Sequence, residues 1–234
     1  GDWWRATIRR LAAGEIVGLA GLVGSGKSEL LQACFGARPL ETGQVMFDGR
    51  DITGRAPSAN IRDGFLYLPS DRRTEGLMMM RSVRENMALA SLDTKPFVRG
   101  IFLDRAGERE AVNALAERLN LTPRGIERAV DHFSGGNQQK TMLARSLARD
   151  YRLIVFDEPT VGVDVGTRAA IYEFIVELAR GGVAIVLISS DLPEVLHLSS
   201  RAYVFYRGKI QAELAGSKLT EANVLAHFFE KAAA

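Results

Sequence analysis

The segment Gly21-Leu22-Val23-Gly24-Ser25-Gly26-Lys27-Ser28 constrains the fold more than any other, because its pattern G-x-x-x-x-G-K-S needs a strand before it and a helix after it. Glu15-Ile16-Val17-Gly18-Leu19-Ala20 reads as that strand, and Lys27 to Ala33 as the start of that helix. Gly21, Gly24 and Gly26 permit a tight turn that residues with a Cβ disfavour, and the Ser25 position completes the loop. Successive backbone N–H groups and the positive end of the helix dipole then converge on a phosphate. Lys27 adds a full charge, and the Ser28 hydroxyl is placed to ligate a magnesium ion. ATP or GTP with Mg2+ is the expected ligand; a glycine turn with a solvated lysine is the plainer alternative.

Leu153-Ile154-Val155-Phe156-Asp157-Glu158 reads as a buried strand ending in paired carboxylates. Beside a phosphate loop, Asp157 is suited to hold magnesium through water or Ser28, and Glu158, pointing elsewhere, to polarise an attacking water. The alternative is a pair that only caps a loop at a strand end. A third segment, Phe133-Ser134-Gly135-Gly136-Asn137-Gln138-Gln139-Lys140, opens a helix expected to run to Ala148, with Ser134 near its N-cap and free N–H groups behind it. That makes a second anion site, although an ordinary capped helix looks similar in isolation.

Taken in this order, the three segments resemble the nucleotide-binding domain of ATP-binding cassette (ABC) proteins. The resemblance covers essentially the whole chain. It implies that Ser134, Gly135 and Gly136 face the γ-phosphate held by another domain's phosphate loop, so that ATP is sandwiched between two domains, with Glu29, Gln138 and Asp164 also on the nucleotide side. Leu66 to Leu77, with Pro69-Ser70-Asp71-Arg72, is similar to the segment P-E-D-R-x-x-x-G-L of one branch, the tandem ATPases of bacterial monosaccharide importers. Ser82-Val83-Arg84-Glu85-Asn86, Asp157 to Gly166 and Ser189-Ser190-Asp191-Leu192-Pro193-Glu194-Val195 resemble further segments of the second, C-terminal cassette of that tandem.

The fold so implied is α/β, a P-loop NTPase core with an antiparallel β subdomain and an inserted helical subdomain: one ABC ATPase domain, with its core at about 1–81 and 150–234 and the helical part at about 82–149. The implied function is ATP binding and hydrolysis that energises sugar import. The implied partners are a second cassette, expected as the N-terminal half of the same polypeptide, membrane permease subunits and, indirectly, a periplasmic sugar-binding protein. The implied location is the cytoplasmic face of a bacterial inner membrane. Gly1 is not a natural start, so an excised half of a longer tandem is expected.

Two departures from the family pattern bear on mechanism. Ser70 stands where a glutamine normally touches magnesium and senses the membrane partner, and Ser190 stands at the catalytic position where a histidine normally donates to the γ-phosphate. Loss of one preorganised donor can cost roughly a hundredfold in rate. A nucleotide-gated, weakly hydrolytic domain that lends its Ser134 segment in trans therefore stands as a second reading. A third is a soluble nucleic-acid-linked ABC ATPase, but those usually carry coiled-coil or zinc-binding insertions.

Composition limits the alternatives. The 234 residues, 47% of them hydrophobic, can bury one core and a smaller subdomain, and 30 basic against 28 acidic residues give no electrostatic case for nucleic acid. The single cysteine, Cys34, excludes internal disulfides and reads as a small buried hydrophobe. His132, His197 and His227 lack metal-like spacing and read as surface or cap residues. No apolar run approaches the ~20 residues of a spanning helix and no signal peptide stands at the start, which predicts a cytosolic chain.

Strands are expected near 6–11, 15–20, 44–47, 65–68, 153–156, 183–189 and 201–206, with a turn at Arg207-Gly208-Lys209 and a closing helix from Leu219 to Glu230. From Ser82 to Arg128 only helical periodicity is legible, so no strand is expected there. Leu77-Met78-Met79-Met80 suits either core filling or a groove for a helix of the membrane partner. Trp3 and Trp4 could stack on adenine, although the family's stacking aromatic lies further upstream.

Overall fold

The computed structural model describes residues 11–122 and 125–228. Trp3, Trp4, most of the strand expected at 6–11 and the terminal Lys231 to Ala234 lie outside them. In chain order the elements are β1 (Ile16–Gly21), α1 (Lys27–Phe35), β2 (Met46–Phe47), β3 (Arg50–Asp51), α2 (Pro57–Arg62) and β4 (Phe65–Leu68). Then come α3 (Val83–Ala88), β5 (Val98–Arg99), β6 (Phe102–Leu103), α4 (Arg105–Arg118) and α5 (Gly135–Leu143). The last are β7 (Leu153–Asp157), α6 (Val165–Arg180), β8 (Ala184–Ser189), α7 (Leu192–Leu198), β9 (Arg201–Tyr206), β10 (Lys209–Ala215) and α8 (Glu221–Leu225).

The chain divides into two compact units, one ending at Tyr67 and resuming at Arg152–Glu158 and from Ile171, the other comprising Leu68–Tyr151 and Pro159–Ala170. The first unit is built on a six-stranded sheet of order β10-β9-β1-β8-β7-β4. β1 runs parallel to β8 and β9, β7 runs parallel to β8, and β10 is antiparallel to β9. Strands covered on both faces need continuous apolar runs, and β1, β7 and β8 are buried at every position. Val17, Leu19, Val155, Val186 and Phe205 join Leu30, Leu31 and Cys34 of α1 in one core cluster. Cys34 is thus a packed hydrophobe, and burial pushes its thiol up to about 12.

Register decides what this sheet can present. Ala20 pairs with Ser189 and Asp157 with Ile188, so the carboxyl ends of β1, β7 and β8 finish side by side. Residues some 130 positions apart in sequence therefore meet at one edge of the sheet, the usual place for a ligand in an open parallel sheet.

In the second unit, Ser82 and Glu85 close a reciprocal capping box on α3. Buried Asn86 is held from both sides: its Oδ1 accepts from Met78 N–H at 2.8 Å, and its backbone carbonyl accepts from Arg145 Nε at 2.8 Å. Leu77 is buried while Met80 is 81% exposed, so the methionine run turns from interior to surface within three residues.

Four expectations need correction. β5 and β6 pair as a short hairpin, and Ser82 bridges Ala129, in a region expected to hold no strand; Gly100, at φ 67°, makes the tight hairpin turn possible. The helix from Ser134 stays α-helical only to Leu143 and tightens to a 3-10 turn over Ala144–Leu147. The closing helix is limited to Glu221–Leu225 among the described residues, and β2 is two residues long.

Phe65 is fully buried, edge-on to Phe35 at 5.3 Å and tilted against Phe47 at 5.7 Å. Phe65→Ala should cost about 3–5 kcal/mol of stability by urea unfolding, since the rings of Phe35 and Phe47 both border the space it would vacate. A loss under about 1 kcal/mol would mean that the cluster collapses around the gap.

Candidate functional site

The loop after β1 needs left-handed backbone at Gly24 (φ 77°) and Gly26 (φ 95°). Its geometry is fixed from outside by the turn between β9 and β10, where Gly208 N–H donates to the Ser25 carbonyl at 2.7 Å. A Cβ on Gly21 would lie 2.6 Å from Ser25 Oγ, and one on Gly26 would lie 2.9 Å from Gly208 Cα. Ser25 Oγ is buried without a hydrogen-bond partner among the described residues. An orphaned hydroxyl in a glycine cradle suits a phosphate oxygen.

Lys27 is 3% exposed at the start of α1, and its ammonium is answered locally. Nζ donates to Ser190 Oγ at 2.9 Å and to the Leu22 carbonyl at 3.5 Å, and lies 3.3 Å from Glu158 Oε1. Ser190 in turn holds both oxygens of Glu158, donating from Oγ to Oε1 at 2.6 Å and from its N–H to Oε2 at 3.1 Å. Glu158 itself sits at φ 48°, a left-handed conformation costly for a side chain of this size.

Ser28 Oγ donates to Asp157 Oδ1 at 2.9 Å, and Tyr67 Oη donates to Asp157 Oδ2 at 2.5 Å. Burial pushes the Asp157 carboxyl up to about 6, against the opposing pull of the two hydroxyls. A divalent cation would return it to the charged form, and a hydroxyl beside a carboxylate is the hard-oxygen donor set that magnesium takes. Tyr67 had no assigned role from sequence; its alternation within β4 is the only hint there.

In the second unit, Ser134 caps α5 by accepting from Asn137 N–H, and Gly135 and Gly136 follow it at the helix start. Asp164 is exposed and caps α6, accepting from Thr167 N–H at 2.9 Å and Thr167 Oγ1 at 2.7 Å. A Cβ on Gly136 would lie 3.0 Å from Thr167 Oγ1, so the two helix starts touch. Gln139 Nε2 donates to the Pro159 carbonyl at 2.7 Å. Gln138, expected on the nucleotide side, is turned inward instead: it is 1% exposed, and its Nε2 donates to the Phe133 carbonyl at 2.9 Å. The cause is the pair of carbonyls, Phe133 and Val130, that its amide satisfies in the interior. Glu29 is exposed in the first turn of α1, and Ser70 is exposed in the second unit.

The structure thus brings Gly21, Ser25, Gly26, Lys27, Ser28, Asp157, Glu158 and Ser190 into one site, and groups Ser134, Gly135, Gly136 and Asp164 in the other unit. The chain matches the family described as ABC transporter over residues 9–161. It belongs to that family. It is 43% identical over 221 residues to the ribose import ATP-binding protein RbsA 2 of Streptomyces avermitilis, covering 94% of this chain and 43% of that protein. It is 41% identical over 213 residues to the ribose import ATP-binding protein RbsA of Geobacillus kaustophilus, covering 91% of this chain and again 43% of the relative. The chain therefore spans less than half the length of these relatives. Among solved structures it resembles a nucleotide-free ATP-binding cassette from an ABC transporter, with a TM-score of 0.75 at 26% identity over 92% of this chain and 86% of that one. A cassette in its ADP conformation gives 0.73 at 26% identity, over 92% and 85%. The ABC fold expected from sequence is borne out.

The glycine geometry separates two kinds of cost. Gly26→Ala meets both positive φ and the backbone of Gly208, whereas a Cβ on Gly24 would meet nothing within 4 Å. Gly24→Ala should cost about 1–2 kcal/mol from backbone conformation alone, and Gly26→Ala clearly more. Equal shifts in thermal unfolding would show that the contact with Gly208 is unimportant.

Proposed function

We propose that this chain is the ATP-binding and hydrolysing cassette of a sugar importer, the C-terminal of two, closing on ATP with a partner cassette to drive membrane permease subunits fed by a periplasmic binding protein. The observation that carries this reading is that one glycine loop holds both a buried Lys27 ammonium and an orphaned Ser25 hydroxyl. The relatives' names support the sugar. In this reading the helical part, about residues 82–149, presents Ser134, Gly135 and Gly136 to the partner's nucleotide, and the chain works at the cytoplasmic face of the membrane. No helix among the described residues is long and apolar enough to cross a bilayer.

Lys27 and the loop amides bind the phosphates, Ser28 and Asp157 hold magnesium, and Glu158 orients and polarises the attacking water. Magnesium, when bound, neutralises charge developing on the transferred phosphoryl group. Nucleotide phosphate must first take Lys27 from Glu158 and Ser190, which frees the carboxylate for water. Ser70, with a side chain shorter than the usual glutamine, contributes at most through water. Ser190 supports the second reading, a slow site acting mainly as a nucleotide-gated clamp: a hydroxyl committed to Glu158 and Lys27 is a poor replacement for a cationic donor on the γ-phosphate.

Lys27→Ala should abolish ATP binding measured by calorimetry; unchanged affinity would sink the phosphate-loop assignment. Ser134→Arg should leave this chain's own ATP binding intact while crippling turnover with the partner cassette. Loss of both together would contradict the sandwich. If the site is slow, Glu158→Gln should lower steady-state phosphate release only a few-fold at saturating ATP, whereas the partner's equivalent substitution nearly abolishes it. Equal and near-complete loss in both would make the two sites equivalent or strictly coupled.

A further inference from the structure

Arg72 lies two residues beyond Ser70, in a single turn over Arg72–Gly76 whose start is capped by Asp71, accepting from the N–H groups of Arg73 and Thr74. Its guanidinium reaches far from that turn in sequence. Nη1 donates to the Val161 carbonyl at 3.0 Å and Nη2 to the Gly162 carbonyl at 3.4 Å. A Cβ on Gly135 would lie 2.9 Å from Nη2, so the same group lies against the first residue of α5. A side chain on Gly135 would displace the guanidinium, whereas a Cβ on Gly162 would lie 3.4 Å from both Nη1 and Nη2, in ordinary contact with it.

The other end of the turn is fastened to the same helix and its continuation. Gly76 packs on Met142, where a Cβ would lie 2.5 Å from the sulfur, and the Gly76 carbonyl accepts from Arg145 Nη1. The loop from Pro159 to Asp164 is likewise held on its far side by Gln139. Arg72 thus touches the turn after Ser70, the start of α5 and the loop before Asp164 together.

Stability alone is a poor reason for a cation here. Nε of Arg72 is buried without a hydrogen-bond partner among the described residues, and one of its two carbonyl bonds is long. Leaving a charged donor unsatisfied costs more than such a bond returns, so an apolar side chain of similar length would serve packing as well. The planar fork is what spans two successive carbonyls while lying against Gly135 at the start of α5.

We propose that Arg72 is a positioning residue for the half-site this chain lends to its partner's nucleotide, setting the placement of Gly135, Gly136 and Asp164 from the segment that follows Ser70. This rests on the sandwich reading given above. Movement of the Ser70 segment is then felt at the lent half-site through one guanidinium, while the chain's own phosphate loop is untouched.

The test uses Arg72→Gln, Arg72→Lys and Arg72→Ala in the assembled transporter, with Ser134→Arg as control. Arg72→Gln should lower kcat for ATP about tenfold or more with KM changed less than about threefold, and ATP binding at this chain's own loop should stay at the wild-type level. Arg72→Lys should recover only part of the rate, because an ammonium reaches one carbonyl, and low concentrations of guanidinium should partly restore Arg72→Ala. Wild-type turnover in Arg72→Gln, alongside a crippled Ser134→Arg, overturns this proposal alone. Loss of the chain's own ATP binding in Arg72→Gln overturns it too, by showing a general structural role. Wild-type turnover in Ser134→Arg overturns the sandwich reading and this proposal with it.

Discussion

The ammonium of a lysine with 3% of its surface exposed needs neighbours to answer it, and the rest of the phosphate-loop site is arranged around that need. Glu158 supplies the counter-charge and Ser190 the hydrogen bond. Both are available only because β1, β7 and β8 end level with one another, which follows from a register in which Ala20 faces Ser189 and Asp157 faces Ile188. A slip of one residue in β7 would turn Asp157 away from Ser28 and leave Lys27 without its partner.

Much of this is legible in the sequence. The glycine-rich loop, the apolar strand ending in Asp157-Glu158 and the Ser134 helix start each carry a local pattern with a physical cause, and all three form as read. What sequence could not supply was phase and partner. Tyr67 looks like one more strand residue until the register points its hydroxyl at Asp157. Gln138 looks like a surface polar residue until the helix turns it toward the Phe133 carbonyl. The β5–β6 hairpin escaped because strands of two residues are too short to show alternation, and its turn depends on a single glycine. Arg72 gave no periodic signal at all, since its contacts lie 63 and about 90 positions further along the chain.

Ser190 illustrates how a short side chain changes a site without emptying it. A histidine in that place would extend toward the ligand; serine stays beside the backbone and holds both oxygens of Glu158. The position then orients the carboxylate from behind, and donor capacity toward a phosphate falls to whatever the hydroxyl can release from that bond.

Glu158 occupies a left-handed backbone conformation at φ 48°, which a glycine would adopt without strain. The chain therefore carries its carboxylate at some expense in folding free energy. Any campaign that selects this cassette for heat resistance alone would be drawn toward glycine or asparagine at this position, and would lose the carboxylate on which the proposed hydrolysis rests. Under the proposed mechanism, durability and turnover pull in opposite directions at one residue.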